Sequence, residues 1–306
     1  VTSRITRLVP VLLLAALVLG ACASQPPVRS ATPAGARVAP VLLGAHNDTS
    51  TPFNLVSVPA LTRHRYDGRA LRLDRVLTRT LAFTRYAVSY RSGGMIERER
   101  VTLAENGFVA FQIDYRNHGG STRESGDVVA RPLGYPEDLV NAVRAVRRAR
   151  LPFVDATRVG LLGRSMGGGV VLNALAARPR LAQAAVLYSP VSSSAVDTYR
   201  RWVRPDPVLR ARVTEVYGSS ATRPGFWATA SARTYLDRLD LPVQIHHGTA
   251  DDVCPVRWSR ATAAALRAGG NRDVTLYEYA GEDHRFGPAW GRFMNRAVIF
   301  LRAELA

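Results

Sequence analysis

The sequence predicts an α/β protein with a mostly parallel sheet, helices on both faces and a small inserted lid. Three observations predict it. Short apolar runs suited to buried strands recur along the chain, at 108–113, 159–163, 184–188 and 243–247. Between them lie segments with helical spacing, such as 136–150, where Leu139, Val140, Val143 and Val146 share one side. Strands alternating with helices in this way imply parallel crossovers and a sheet buried on both sides.

The elements follow in order. Residues 1–21 read as an export signal: Arg4 and Arg7, an apolar run from Val11 to Gly20, then small residues. That apolar core is too short to span a bilayer comfortably. Residues 22–50, rich in Pro, Ala, Ser and Gly over Ser24 to Pro40, read as a flexible tether. The folded domain is expected over 51–306. Leu71 to Tyr90 holds β-like stretches, with 86–90 the clearest strand, and 91–94 is a turn. Val101 to Asn106 reads as the end of a helix closed by Gly107. The 108–113 strand leads into the polar loop 114–121, and the helix 136–150 follows. Next come the strand 159–163, the helix 168–177 and the strand 184–188. The lid is placed at about 192–232, where periodicity is weak and Trp202 and Trp227 occur. The strand 243–247, helix 259–268, strand 274–279 and helix 292–301 complete the chain.

Composition bounds the function. Apolar residues make up 47% of the 306, which excludes wholesale disorder. The formal net charge is +17, with Arg as its source and no Lys. The Arg residues are scattered, without aromatic interleaving or zinc-finger spacing, so no specific nucleic-acid partner is expected. Arg144, Arg147, Arg148 and Arg150 read as a solvated helix face. Such a surface would favour anionic lipid headgroups or wall polymers. Two cysteines make no disulfide framework. Cys254 is expected to be buried and free. His46, His64 and His118 do not combine with Cys or carboxylates at metal-ligand spacing, so neither a metal nor another cofactor is expected.

One motif carries chemistry. The strand 159–163 runs into Gly163-Arg164-Ser165-Met166-Gly167, a G-x-S-x-G pattern between a strand and a helix. The chain must turn sharply there, and Gly163 and Gly167 leave space where strand and helix nearly touch. The turn lifts the Ser165 hydroxyl clear of the sheet. It aims the Met166 N–H toward a forming oxyanion, helped by the positive end of the helix. The bland reading is a Gly-rich turn with an idle serine. Arg164 reads as a surface or cleft residue.

A serine nucleophile needs a base, and the base an orienting carboxylate. After the 243–247 strand comes a loop with Asp251 and Asp252; after the 274–279 strand comes one with His284. Both loops sit at strand ends on the edge that carries Ser165. Asp251 is preferred as the acid, with Asp252 shaping the turn. His284 would take the Ser165 proton and deliver it to the leaving group. His246 and His247 lie in the strand end, where packing is the expected role.

Asp114-Tyr115-Arg116-Asn117-His118-Gly119, Gly163 to Gly168, His247 to Pro255 and Gly281-Glu282-Asp283-His284 resemble the α/β-hydrolase superfamily. Within it they resemble the prolyl-oligopeptidase-like (S9-type) branch. The resemblance covers about 80% of the chain. It implies a triad of Ser165, Asp251 and His284, with the Tyr115 loop lining the mouth of the site. The implied activity is hydrolysis of a small ester or peptide substrate through an acyl-enzyme. Arg164, Trp202 and Trp227 are candidate substrate contacts. Leu19-Gly20-Ala21-Cys22 resembles the lipobox of bacterial lipoproteins. It implies a lipid on Cys22 and anchoring to the outer face of the cytoplasmic membrane, secretion being the alternative.

The sequence departs from the family at one place. Members continue after the turn at 91–94 with a strand pair, a Pro-rich turn, an apolar strand and a His-Gly loop that gives a second oxyanion N–H. Here Met95-Ile96-Glu97-Arg98-Glu99-Arg100 runs almost directly into Val101. Three accounts fit: a deletion with a weakened product, an incomplete sequence, or another segment rebuilding the strand. The alternative function is accordingly a weakened or inactive hydrolase-fold binding protein of the envelope.

Overall fold

Apolar runs and Gly-Pro punctuation give one nine-stranded sheet in the computed structural model of the protein. The structure describes residues 39–45, 57–79, 84–92, 95–101, 106, 108–118, 121 and 134–306. The strands are β1 (Ala39–Ala45), β2 (Arg69–Arg79), β3 (Thr84–Ser92), β4 (Met95–Val101) and β5 (Val109–Ile113). They continue with β6 (Val154–Arg164), β7 (Ala184–Tyr188), β8 (Val243–Gly248) and β9 (Val274–Tyr279). Their spatial order is β2-β3-β4-β5-β1-β6-β7-β8-β9. The ladders from β2 to β5 are antiparallel, and those from β5 through β1 to β9 are parallel.

The position of β1 corrects two expectations. Residues 39–45 lie in the stretch read as tether, yet they form a strand in the middle of the sheet. Ala45 is level with Ile113 of β5 on one side and with Gly163 of β6 on the other. The sheet therefore has no gap between β5 and β6, and another segment does rebuild the strand. The reason is the pairing demand of two parallel neighbours, whose backbone N–H and C=O groups need partners. A third correction concerns Val101, read as part of a helix end. It closes β4, opposite Phe111, and Met95 to Arg100 precede it in the same strand. The export signal and Cys22 lie outside the described residues.

The helices cover two faces. α1 (Val58–Arg63), α2 (Gly134–Ala149), α3 (Met166–Ala177) and α7 (Arg257–Ala268) share one core with Phe111, Leu161, Leu187 and Ile245 of the sheet. α8 (Trp290–Glu304) packs Phe293, Ala297 and Leu301 on the opposite face, against Val186 and Tyr188. The period-two alternation of side chains in β7 divides its residues between these cores. Arginines on α2 do more than meet solvent. Arg144 donates to the Tyr66 carbonyl at 2.9 Å and Arg148 to that of Gly68 at 2.8 Å. Gly68 is required there: a Cβ would come within 2.2 Å of the Asn141 carbonyl oxygen.

The lid is helical. It comprises α4 (Ala195–Thr198), a π-helical turn (Tyr199–Val203), α5 (Pro207–Tyr217), α6 (Pro224–Thr229) and a 3-10 helix (Ala232–Arg238). Asp206 caps α5 by accepting from the Val208 and Leu209 N–H groups, and Pro207 fits the first helical turn. Tyr199, Val203, Val213, Trp227 and Ala230 form the lid's own core.

Candidate active site

β6 ends at Arg164 and α3 begins at Met166, so Ser165 alone makes the turn. Its φ of 51° and ψ of −119° lie where non-glycine residues are strained. Ser165 is held there by its own N–H bonding Tyr188 O at 2.9 Å and by its carbonyl accepting from Val191 N at 3.0 Å. A Cβ on Gly163 would meet the Gly167 carbonyl oxygen at 2.5 Å, which is the close strand-helix approach read from the motif. Met166 opens α3, so its N–H has no acceptor within the helix.

Asp251 and His284, expected as acid and base, come from loops after β8 and β9. Asp251 Oδ1 accepts from Val253 N at 2.9 Å and Cys254 N at 2.7 Å. Its Oδ2 accepts from His284 Nδ1 at 2.7 Å. The same Oδ2 lies 3.1 Å from His247 Nε2. Burial alone would raise the Asp251 pKa. Hydrogen bonds from His247, His284 and the Cys254 N–H outweigh it and hold the carboxyl well below the usual range. His284 keeps 13% of its side-chain surface open. With Nδ1 committed to Asp251, its Nε2 is the nitrogen left for a substrate or nucleophile.

Ser165 Oγ sits 3.9 Å from Cys254 Sγ, and among the described residues it makes no hydrogen bond to His284. Arg164 touches the His284 loop and the end of β7: its Nη2 reaches His284 O at 3.5 Å and its guanidinium lies 5.3 Å from the centre of the Tyr188 ring. Burial first, and the Asp251 charge second, push the Cys254 thiol far up, so it stays protonated.

The other candidates divide. Trp202 packs edge-on to Trp258 at 5.5 Å, against the cluster of Val191, Cys254 and Trp258. Trp227 is fully buried in the lid core, with Nε1 donating to Gly218 O at 3.1 Å. Tyr115 is fully buried and stacks on Tyr135 of α2 at 5.1 Å. Its neighbour Arg116 holds the loop to α2 through buried ion pairs with Glu137, at 2.8 Å, and with Asp138. His246 is buried as expected: its ring nitrogens bond Tyr279 Oη at 2.8 Å and Gln244 Oε1 at 2.7 Å. Sequence reasoning missed the contacts of His247 and Cys254 with the site. Their only signal was their place in the sequence beside Asp251, His247 at the end of β8 and Cys254 in the loop that follows. A cavity of about 40 Å³ lies beside Met166, walled by Pro136, Val170, Val191, Thr198 and Ala230.

Residues 95–305 match the sequence profile of the prolyl oligopeptidase family. The chain belongs to the prolyl oligopeptidase family. Similarity of fold extends to solved peptidases and esterases. Porphyromonas gingivalis dipeptidyl peptidase 4 is 20% identical, with a TM-score of 0.56, over 88% of this chain and 32% of that one. Pyrococcus horikoshii acylaminoacyl peptidase is 17% identical, with a TM-score of 0.55, over 87% of this chain and 37% of that one. An acetyl xylan esterase from Paenibacillus sp. R4 is 16% identical, with a TM-score of 0.58, over 81% of this chain and 92% of its own. An Escherichia coli protein described as an uncharacterized 31.7 kDa protein in the traX-finO intergenic region is 35% identical over 79 residues, 26% of each chain. The chain thus spans about a third of the length of these two peptidases and about a quarter of that curated relative.

Proposed function

We propose that the protein is a serine hydrolase that cleaves carboxylic ester or short peptide bonds. The observation that carries this reading is the 2.7 Å bond from His284 Nδ1 to Asp251 Oδ2, on the sheet edge where Ser165 is held in a strained turn. Ser165 attacks the carbonyl carbon while His284 Nε2 takes its proton. The tetrahedral oxyanion is stabilised by the Met166 N–H and the start of α3. Collapse expels the leaving group, to which His284 returns the proton. Water, deprotonated by the same imidazole, then cleaves the acyl-enzyme. Ala45, level with Gly163, ends β1 on the edge where a second oxyanion donor is needed. Covalent labelling by a fluorophosphonate is expected for the wild type and not for Ser165→Ala. A folded wild-type sample that resists labelling would overturn the reading.

A second reading is supported by the Ser165 hydroxyl facing Cys254 Sγ rather than bonding His284. In it the protein is a weakened or inactive binding protein on the same scaffold. Saturable ligand binding unchanged by Ser165→Ala, without turnover, distinguishes it. We also propose export with a lipid on Cys22; incorporation of labelled palmitate in cells, lost in Cys22→Ala, tests that.

A further inference from the structure

We propose that His247 is a positioning residue for the acid of the triad, a second imidazole that fixes Asp251 from the side opposite His284. The proposal rests on the reading of Ser165, Asp251 and His284 as the catalytic set. His247 is the last residue but one of β8 and is fully buried. Its Nε2 is 2.6 Å from the Cys254 carbonyl oxygen and 3.1 Å from Asp251 Oδ2. Both neighbours are acceptors, so Nε2 carries a proton. Nδ1 is 2.6 Å from Ser259 Oγ on α7, whose hydroxyl donates to it and fixes the neutral tautomer.

The contacts close on Asp251 from two directions. Directly, the Nε2 proton lies beside Oδ2, the oxygen that holds His284. Indirectly, His247 pins the peptide of Cys254, whose N–H holds Oδ1 at 2.7 Å. The same residue places its sulfur 3.9 Å from Ser165 Oγ. One buried ring thus sets the direction of the carboxylate and the loop that borders the nucleophile. A general packing role would not need the ring nitrogens to be paired in this order.

Other charged or titratable groups face this cluster from every side. Arg164 approaches from the end of β6, Arg201 reaches the Asp252 carbonyl from the π-helical turn, and Glu278 of β9 stands level with His247 and pairs with Arg260. Glu282 and Asp283 belong to the loop of His284 itself, and the Cys254 thiol stays protonated.

The experiment compares His247→Gln with His247→Phe in kcat, KM and the pH dependence of kcat/KM on a p-nitrophenyl acetate probe. Gln can place an amide N–H where Nε2 stood; Phe cannot. Without that donor the Asp251 carboxylate becomes more basic and holds the imidazolium of His284 more tightly. His247→Phe is therefore expected to move the acid limb upward by about half a pH unit. Its kcat should fall about tenfold or more, with KM little changed. His247→Gln should keep the wild-type limb. Equal loss in both variants without movement of the limb, or no change in either, overturns the proposal. Should His247→Phe not fold, imidazole nitrogen NMR of the intact wild type decides. A neutral His247 protonated at Nε2 upholds the proposal, and one protonated at Nδ1 overturns it. Absence of wild-type turnover and of Ser165 labelling sinks the hydrolase reading instead, and that result is visible before any His247 variant is made.

Discussion

Ser165 and Asp251 face opposite demands. The serine is strained so that its oxygen stands clear, at a cost of about 1–3 kcal/mol that the turn's hydrogen bonds and packing must offset. The aspartate is relaxed: four donors surround its two oxygens. Both positions were legible in the sequence because each rests on a short local pattern after a strand. The approach of Cys254 to Ser165 was not legible, since it depends on how a loop folds back across 89 residues of separation. His246 gives a test at this scale. Burial, with a smaller push from Arg296, lowers its pKa to about 3. An unfolded chain binds that proton near pH 6.5, so below this value the unfolded state gains protons that the fold refuses. Stability should therefore fall as pH drops from about 6.5 toward 3, with Asp251 adding a loss below about pH 4. Tm measured across this range should slope less steeply in His246→Gln than in the wild type; identical slopes would remove His246 as a cause.

At the scale of elements, β1 is the informative case. Its residues follow a Pro- and Ala-rich stretch, and nothing local separates a strand from a tether there. What selects the strand is distant: β6 offers a parallel ladder to all seven of its residues, and β5 one to the five from Val41 to Ala45. Periodicity cannot register a demand made by partners some 70 and 120 residues away. The same limit explains Val101, which lies opposite Phe111 although its neighbours in sequence suggested a helix end. Backbone pairing on both sides makes β1 intolerant of proline. Leu42 stands level with Ala110 and Gly160, and Leu42→Pro removes a ladder donor in mid-sheet. A loss of about 3 kcal/mol or more is expected. An unchanged urea midpoint would show that β1 does not hold this position in solution.

At the scale of the whole molecule, the parallel half of the sheet followed from alternation alone, since β6 to β9 follow one another in sequence and lie side by side in space, with α3 and α7 on one face and α8 on the other. The part that alternation could not give is the order of strands, because β1 is first in the chain and fifth in the sheet. Family similarity and folding unit therefore have different limits. The match covers 95–305, whereas the compact unit spans Arg37–Ala306. A fragment of residues 95–305 keeps Ser165, Asp251 and His284 but leaves β5 and β6 with unpaired edges toward each other. Circular dichroism and sedimentation should show this fragment aggregated or unfolded and residues 37–306 folded and cooperative. A fragment that is monomeric and melts like the longer chain would contradict the strand order.

Placing the earliest strand at the centre has a mechanical side. A pull on the chain at Ala39 acts along β1, which has a ladder on each flank. The bonds to β5 and β6 then share the load in shear and must give way together, whereas an edge strand drawn sideways would peel off one bond at a time.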